Sequence, residues 1–224
     1  MTARQSQRDI GLLEAMATTR AIRRYTPDPI PDEDLAEILW YAQRAPSGTN
    51  RQKFRFITLR RDDPVAQPAR ELLTTSFRAG WVAKQADLDR DGAPEEGSPR
   101  SRMQAAMQHY VDHIDTVPAV VLVGLERYRP PNPAEGASVY PACQNLLLAA
   151  RALGYGGVMT GWHAAVEAEL REVIGLPDGV ALCATITLGV PEGRHGPLRR
   201  KPLRSLVHDG VWGREADWLG ERGG

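Results

Sequence analysis

Two apolar runs, "PAVVLVGL" at 118–125 and "ALCATITLGV" at 181–190, constrain the fold of this 224-residue chain more than any other feature. Both read as strands buried inside a sheet. Neither is long enough to span a bilayer. "FRFITL" at 54–59 is a third strand candidate, short, aromatic and β-branched. Most of the remaining chain is spaced for helices. The sum predicts an α+β domain with three or four short strands and long helices.

In "RDIGLLEAMATTR", residues Leu12, Leu13 and Met16 share one helical face. Prolines at 27, 29 and 31 then form a connector. "PDEDLAEILWYAQRAP" follows, with Asp32 placed to cap a helix and Glu33 and Asp34 at its positive end. Leu35, Ile38, Leu39 and Ala42 make its apolar stripe. Another helix starts near Asp63-Pro64 and runs through "ARELLTTSFRAGWVA". Residues 84–102 are polar and carry glycines and prolines, so they are expected to form a flexible excursion or lid. Helix resumes in "MQAAMQHYVDHID". Val139, Cys143, Leu146, Leu147, Ala150 and Leu153 recur at helical spacing, and Gly154 suits the carboxyl-terminal cap. "AAVEAELREVIGLP" closes in the same way.

The length suits a single domain over residues 1–224. Lys+Arg and Asp+Glu are both 28, so nothing supports nucleic acid as a partner, and any basic patch must be local. Cys143 and Cys183 lie in apolar contexts without a C-x-x-C pair and read as buried thiols of a reducing compartment. Arg4, Arg8, Asp9 and Glu14 interrupt the first 20 residues, which therefore lack the apolar core of a signal peptide. A cytoplasmic protein, without a membrane partner, is expected.

Against the zero net charge, "TTRAIRRYTPDPIP" sets Arg20, Arg23 and Arg24 within five positions. Arg20 and Arg23, three apart, share one side of a helix end. A second basic cluster follows at Arg199, Arg200 and Lys201. "APSGTNRQ" offers Ser47, Thr49, Asn50 and Gln52 just before an aromatic strand. Short donors and acceptors of this kind suit the rim of a heterocycle, or simply a polar loop. "GYGGVMTG" at 154–161 misses the dinucleotide fingerprint, because Met159 stands where the third glycine belongs and a helix precedes it. Its glycines read as a helix terminus leading into a strand, or as backbone that lets a flat ligand approach. His109 and His113 lack the adjacent Glu of a zincin, since residue 110 is Tyr, and read as a solvated helix face. No G-x-S-x-G, P-loop or Cys/His zinc spacing occurs, and no metal is expected. Two basic clusters, a polar loop and a glycine-rich turn together suit a ligand with a phosphate at one end and a flat ring at the other. FMN has that shape.

Over nearly its full length the chain resembles the nitroreductase family of FMN-dependent oxidoreductases. "TTRAIRRYTPDPIP" is similar to the family's opening R-R-S-x-R-x-F and proline-rich turn. "APSGTNRQKFRF" is similar to its A-P-S-G-x-N-x-Q-P-W-x-F segment, and "ARALGYGGVMTG" to the A-x-x-L-G-L-G stretch that closes over the flavin. "LRRKPLRSLV" resembles the closing R-x-P-L segment of the iodotyrosine-deiodinase-like branch. The resemblance implies a central, antiparallel-rich sheet flanked by helices, in an intertwined homodimer with FMN at the subunit interface. It places Arg20, Ala21, Arg23 and Arg200 at the phosphate and ribityl end. Ser47, Asn50 and Gln52 would meet the isoalloxazine edge from the second subunit, and Met159, Thr160 and Gly161 would give backbone contacts near flavin N5 and O4. The family's leading Arg and its Ser are replaced by Thr19 and Ala21, and its Pro-Trp by Lys53-Phe54.

The activity so implied is reduction of nitroaromatics, quinones or similar small acceptors by NADPH or NADH, in a ping-pong cycle centred on flavin N5, with no side chain needed as acid or base. Two alternatives stand beside it. The closing segment motivates a reductive dehalogenase, for which Glu71 and Lys84 are present but no Tyr occurs in 71–102. The contacts missing at Thr19 and Ala21 motivate a flavin-binding or storage protein without turnover.

Overall fold

The structure, a computed structural model, describes residues 10–90, 92–193 and 198–220. Arg4, Arg8 and Asp9 lie outside the described residues. The chain divides into two compact units, residues 1–193 and 194–224. In the first unit the helices are α1 (Leu12–Thr18), α2 (Asp32–Ala42), α3 (Gln67–Arg90), α4 (Pro99–Asp112), α5 (Tyr140–Ala152) and α6 (Glu167–Val173). The strands are β1 (Phe54–Arg60), β2 (Ala119–Glu126), β3 (Gly156–Thr160) and β4 (Val180–Gly189). They form one sheet in the order β1-β2-β4-β3, antiparallel at every pair.

The two apolar runs are the central strands, β2 and β4, and helices cover both of their faces. Val121 and Val123 join Ala184, Ile186 and Leu188 against Ile38 of α2 and Cys143 and Leu146 of α5. Val120 and Leu122 point the other way, with Leu182, towards Leu73 of α3 and Leu170 of α6. With two dry faces, β2 is apolar at both parities, while β4 sets Thr185 and Thr187 on its second face, buried and hydrogen-bonded. Each Val, Leu or Ile among these side chains contributes about 1.5–3 kcal/mol on full burial. Arg70 of α3 is also buried, and its guanidinium donates to the carbonyls of Leu59 (3.0 Å), Asp115 (3.0 Å) and Val117 (2.7 Å). It staples the helix to β1 and to the turn before β2.

Two expectations are corrected. Residues 84–102 are largely helical: α3 continues to Arg90 and α4 begins at Pro99, so only 91–98 separates them. From Lys84 to Arg90 there is no glycine or proline, the residues are mostly good helix formers, and Lys84, Asp87 and Arg90 are exposed. Ser98 then caps α4, its Oγ accepting from the Ser101 amide at 3.1 Å, with Pro99 at the first helical position. Asp32 is not a cap but the first residue of α2, and its carboxylate pairs with Arg60. Leu12, Leu13 and Met16 do lie on a helix, α1, where all three are exposed and Ala15 is buried.

Cys143 is buried and Cys183 partly so, both as free thiols, and burial pushes the Cys143 thiol up to about 12. No helix among the described residues is long and apolar enough to cross a membrane. In the second unit the described chain makes two short 3₁₀ turns, Leu203–Ser205 and Asp217–Leu219. Between them an Arg214–Asp209 ion pair (3.3 Å) and a His208–Trp212 ring contact (4.4 Å between centroids) hold a tight bend.

Candidate cofactor-binding site

Leaving α1, residues 20–25 form an arm along the open edge of β3. Ala21 bridges Gly157 in parallel, and the Ile22 amide donates to the Gly157 carbonyl at 3.0 Å. Farther on, the Thr26 amide donates to the Val190 carbonyl (2.9 Å) and the Glu192 amide to that of Arg24 (3.0 Å). The glycine pair makes this approach possible. A Cβ on Gly156 would stand 2.5 Å from Ile22 Cγ1, and one on Gly157 would stand 2.7 Å from the Thr187 carbonyl oxygen. These two glycines therefore serve packing between the arm, β3 and β4. Two residues beyond Gly157, Met159 turns its backbone to the same open side. It is 44% exposed, and a Cβ on Gly161 would meet nothing within 4 Å. Arg20, Ala21 and Arg23 thus share one sheet edge with Met159, Thr160 and Gly161. Arg20 and Ala21 are exposed and Arg23 is half-buried, and Arg23 meets no carboxylate within 4 Å among the described residues.

A chain of hydroxyls anchors the arm from below. Tyr110 of α4 lies 2.8 Å from Thr187 Oγ1, which lies 2.9 Å from the Tyr25 hydroxyl, and Tyr25 donates to the Ile22 carbonyl at 2.5 Å. With Tyr110 donating to Thr187 and Thr187 to Tyr25, every proton in the chain has an acceptor. Burial pushes both phenols upward in pKa, which keeps them as neutral donors. Sequence reasoning missed this set. The signals were the Tyr at position 25, where the resembled pattern has Phe, and a threonine inside a buried strand.

The turn after β3 is pinned as well. Trp162 stacks on Phe77 of α3 with centroids 5.0 Å apart and planes 7° from parallel. It fills the gap left by Gly80, where a Cβ would come within 2.5 Å of the indole. Ser76 Oγ donates to the Trp162 carbonyl at 2.8 Å. The buried His163 ring lies 2.9 Å from Thr185 Oγ1, and burial lowers its pKa, favouring neutral imidazole.

Ser47, Asn50 and Gln52 lie elsewhere, in the loop that leads into β1. Thr49, Asn50 and Gln52 have φ of 50°, 52° and 50°, in the left-handed region. Such backbone costs a non-glycine residue about 1–2 kcal/mol and concentrates at functional sites. The loop bonds mostly to itself: the Gln52 amide donates to Ser47 Oγ (2.9 Å), the Asn50 amide to the Ser47 carbonyl (2.9 Å), and Gln52 Nε2 to Asn50 Oδ1 (3.1 Å). Asn50 and Gln52 are exposed. Since β1 and β3 are the two edges of the sheet, the loop and the arm stand on opposite edges. Three strand spacings, about 14 Å, intervene. Within one copy these two parts of the expected site do not come together. Arg200 belongs to the second unit, where it is exposed and donates from Nη1 to the Arg199 carbonyl at 3.2 Å.

The sequence profile of the nitroreductase family matches residues 16–190. A curated relative from Thermus thermophilus, described as an NADH dehydrogenase, is 32% identical over 204 residues, covering 84% of this chain and 90% of the relative. A crystal structure from Desulfovibrio desulfuricans, described as a nitroreductase in complex with FMN, is 28% identical and covers 91% of this chain and 99% of its own, with a TM-score of 0.66. Iodotyrosine deiodinase bound to FMN and 3-iodo-L-tyrosine shares the fold, with a TM-score of 0.63 at 21% identity over 85% of this chain and 95% of that chain. With its antiparallel sheet between helical layers and the profile match across most of its length, the chain belongs to the nitroreductase family.

Proposed function

We propose that this chain is an FMN-dependent NAD(P)H oxidoreductase that works as a homodimer, each flavin lying between the arm of one copy and the Ser47–Gln52 loop of the other. The observation that carries this reading is the placement of those two segments on opposite edges of one sheet. Exposed apolar side chains on α1 and α2 supply a surface for association: Leu12, Leu13, Met16, Trp40 and Tyr41. The arm fits the anionic end of FMN, since Arg23 meets no carboxylate within 4 Å among the described residues and the neighbouring Ala21 and Ile22 are fixed to β3. The open backbone edge at 159–161 fits a flat ring.

When bound, FMN supplies the electron transfer between a nicotinamide donor and a small acceptor such as a nitroaromatic or quinone. The residues of the chain hold and orient it. Arg20 and Arg23 neutralise the phosphate and ribityl end. Met159, Thr160 and Gly161 present backbone groups beside the ring, and Trp162, fixed against Phe77, keeps that segment from moving. Ser47, Asn50 and Gln52 satisfy the ring's polar edge. Donor and acceptor share one pocket in turn, which gives parallel-line steady-state kinetics. The test is an absorbance spectrum and a size measurement on purified protein. A yellow dimer that NADH or NADPH bleaches is expected. Colourless protein that ignores added FMN, or flavin held by a monomer, would overturn the reading.

A further inference from the structure

We propose that a cleft beside the Ser47–Gln52 loop binds a phosphoryl group of the dinucleotide electron donor, through Arg51 and Arg129. This rests on the nicotinamide donor of the preceding reading and assigns where its charge is held.

The cleft is lined by Ser47, Gly48, Arg51, Tyr128, Arg129 and Ser138, among others. Four cations line it, Arg51, Lys53, Arg127 and Arg129, with one carboxylate, Glu135. Two of these cations, Arg127 and Lys53, are already engaged. Arg127 makes a two-pronged contact with Glu135 (2.6 and 3.0 Å), and Lys53 and Arg55 both pair with Glu126. Arg51 and Arg129 are left over, and neither meets a carboxylate within 4 Å among the described residues. Instead both converge on Tyr128, their guanidinium carbons 4.4 and 5.3 Å from its ring centroid. Two like charges gathered on one ring repel, and an anion between them relieves the repulsion.

The local backbone supports such a site. The Gly48 amide donates to Ser138 Oγ at 3.2 Å, joining the two loops that carry the cations. That bond uses the Ser138 oxygen as acceptor and leaves its proton free for an incoming oxyanion. Planar guanidinium groups match phosphoryl oxygens in pairs, which favours this ligand over a spherical anion.

The choice of donor follows by elimination among the ligands of the proposed reaction. The phosphate of FMN is assigned to the arm, at the opposite sheet edge. Quinones and nitroaromatics need carry no anion. The donor brings a pyrophosphate, and NADPH a further 2′-phosphate. Arg51 directly follows Asn50, the residue proposed to meet the ring edge, so a nicotinamide stacked on that ring extends past this loop.

The test uses FMN-loaded protein and the variants Arg51→Ala, Arg129→Ala and the double variant, with Arg51→Lys/Arg129→Lys as a charge-conserving control. Calorimetry with ADP and with adenosine 2′,5′-bisphosphate reads binding without turnover, and stopped-flow flavin reduction reads NADH and NADPH. In the double variant probe binding and donor affinity should each fall about tenfold per lost guanidinium, with FMN content and melting temperature as in the parent. The lysine control should restore part of the loss. Loss confined to the bisphosphate and NADPH assigns the 2′-phosphate; loss for ADP and both donors assigns the pyrophosphate. A parent that binds neither probe, or a double variant that binds both and is reduced like the parent, overturns the cleft. A parent that takes up no FMN overturns the oxidoreductase reading instead.

Discussion

The arm on the β3 edge and the loop before β1 both carry residues expected at a flavin, yet they are held in opposite ways. The arm has little structure of its own. It is shaped by its neighbours: glycines in β3 that let it approach, and the Thr187 hydroxyl of β4, itself bonded to Tyr110 of α4, that meets Tyr25. The loop is shaped from within, by bonds among Ser47, Asn50 and Gln52 and by left-handed backbone, with the Gly48–Ser138 bond tying it to the neighbouring loop. A tertiary clamp and a local spring respond differently to substitution, and that difference can be measured.

Adding one methyl group should separate them most widely. Gly157→Ala drives a Cβ into the Thr187 carbonyl and should cost about 3 kcal/mol, with flavin lost along with the arm. Gly48→Ala meets Ser138 Oγ at 3.5 Å, an ordinary contact, and should cost less than about 1 kcal/mol. Thermal unfolding of the pair checks this, and equal losses would erase the contrast. Next in size, Arg23→Ala should weaken FMN retention by about 1–3 kcal/mol, typical of a hydrogen bond to a charged group. Fluorescence titration of released flavin measures it, and Arg200→Ala tests the remaining expected phosphate contact in the same assay. Tyr25→Phe leaves the Ile22 carbonyl and one bond of Thr187 unpartnered and should lower stability in urea by about 1–2 kcal/mol. The smallest change has the opposite sign. Thr49→Gly removes a β-branched residue from φ of 50° and should raise stability by about 0.5 kcal/mol, strain relief outweighing the freedom glycine adds to the unfolded chain. A fall in stability would mean that the loop holds no such strain.

The same contrast decides what could be read in advance. The central strands were legible because short, β-branched, largely apolar runs leave few alternatives. The short, glycine-containing β3 was legible only as chain leading into a strand, since what makes it a strand is the β4 ladder and the arm beside it. Helix α3 ran past Ala83 because outward-facing polar residues on a helix and polar residues in a loop share a composition. Arg20, Arg23, Ser47 and Asn50 could be singled out as candidates from pattern and resemblance. Their grouping on opposite edges could not, because strand order depends on pairings between residues far apart in sequence. The left-handed backbone at Thr49, Asn50 and Gln52 had no glycine at those positions to announce it.

Mixed dimers test most directly whether the two halves meet between copies. Arg23→Glu disables the arm and Asn50→Trp disables the loop, so each variant alone should purify colourless. Co-expressed with different tags, the mixed pair combines an intact arm on one copy with an intact loop on the other. Flavin recovered in one of its two sites is the expected result. A mixed pair as colourless as its parents would show that arm and loop act within a single chain, against the arrangement inferred here.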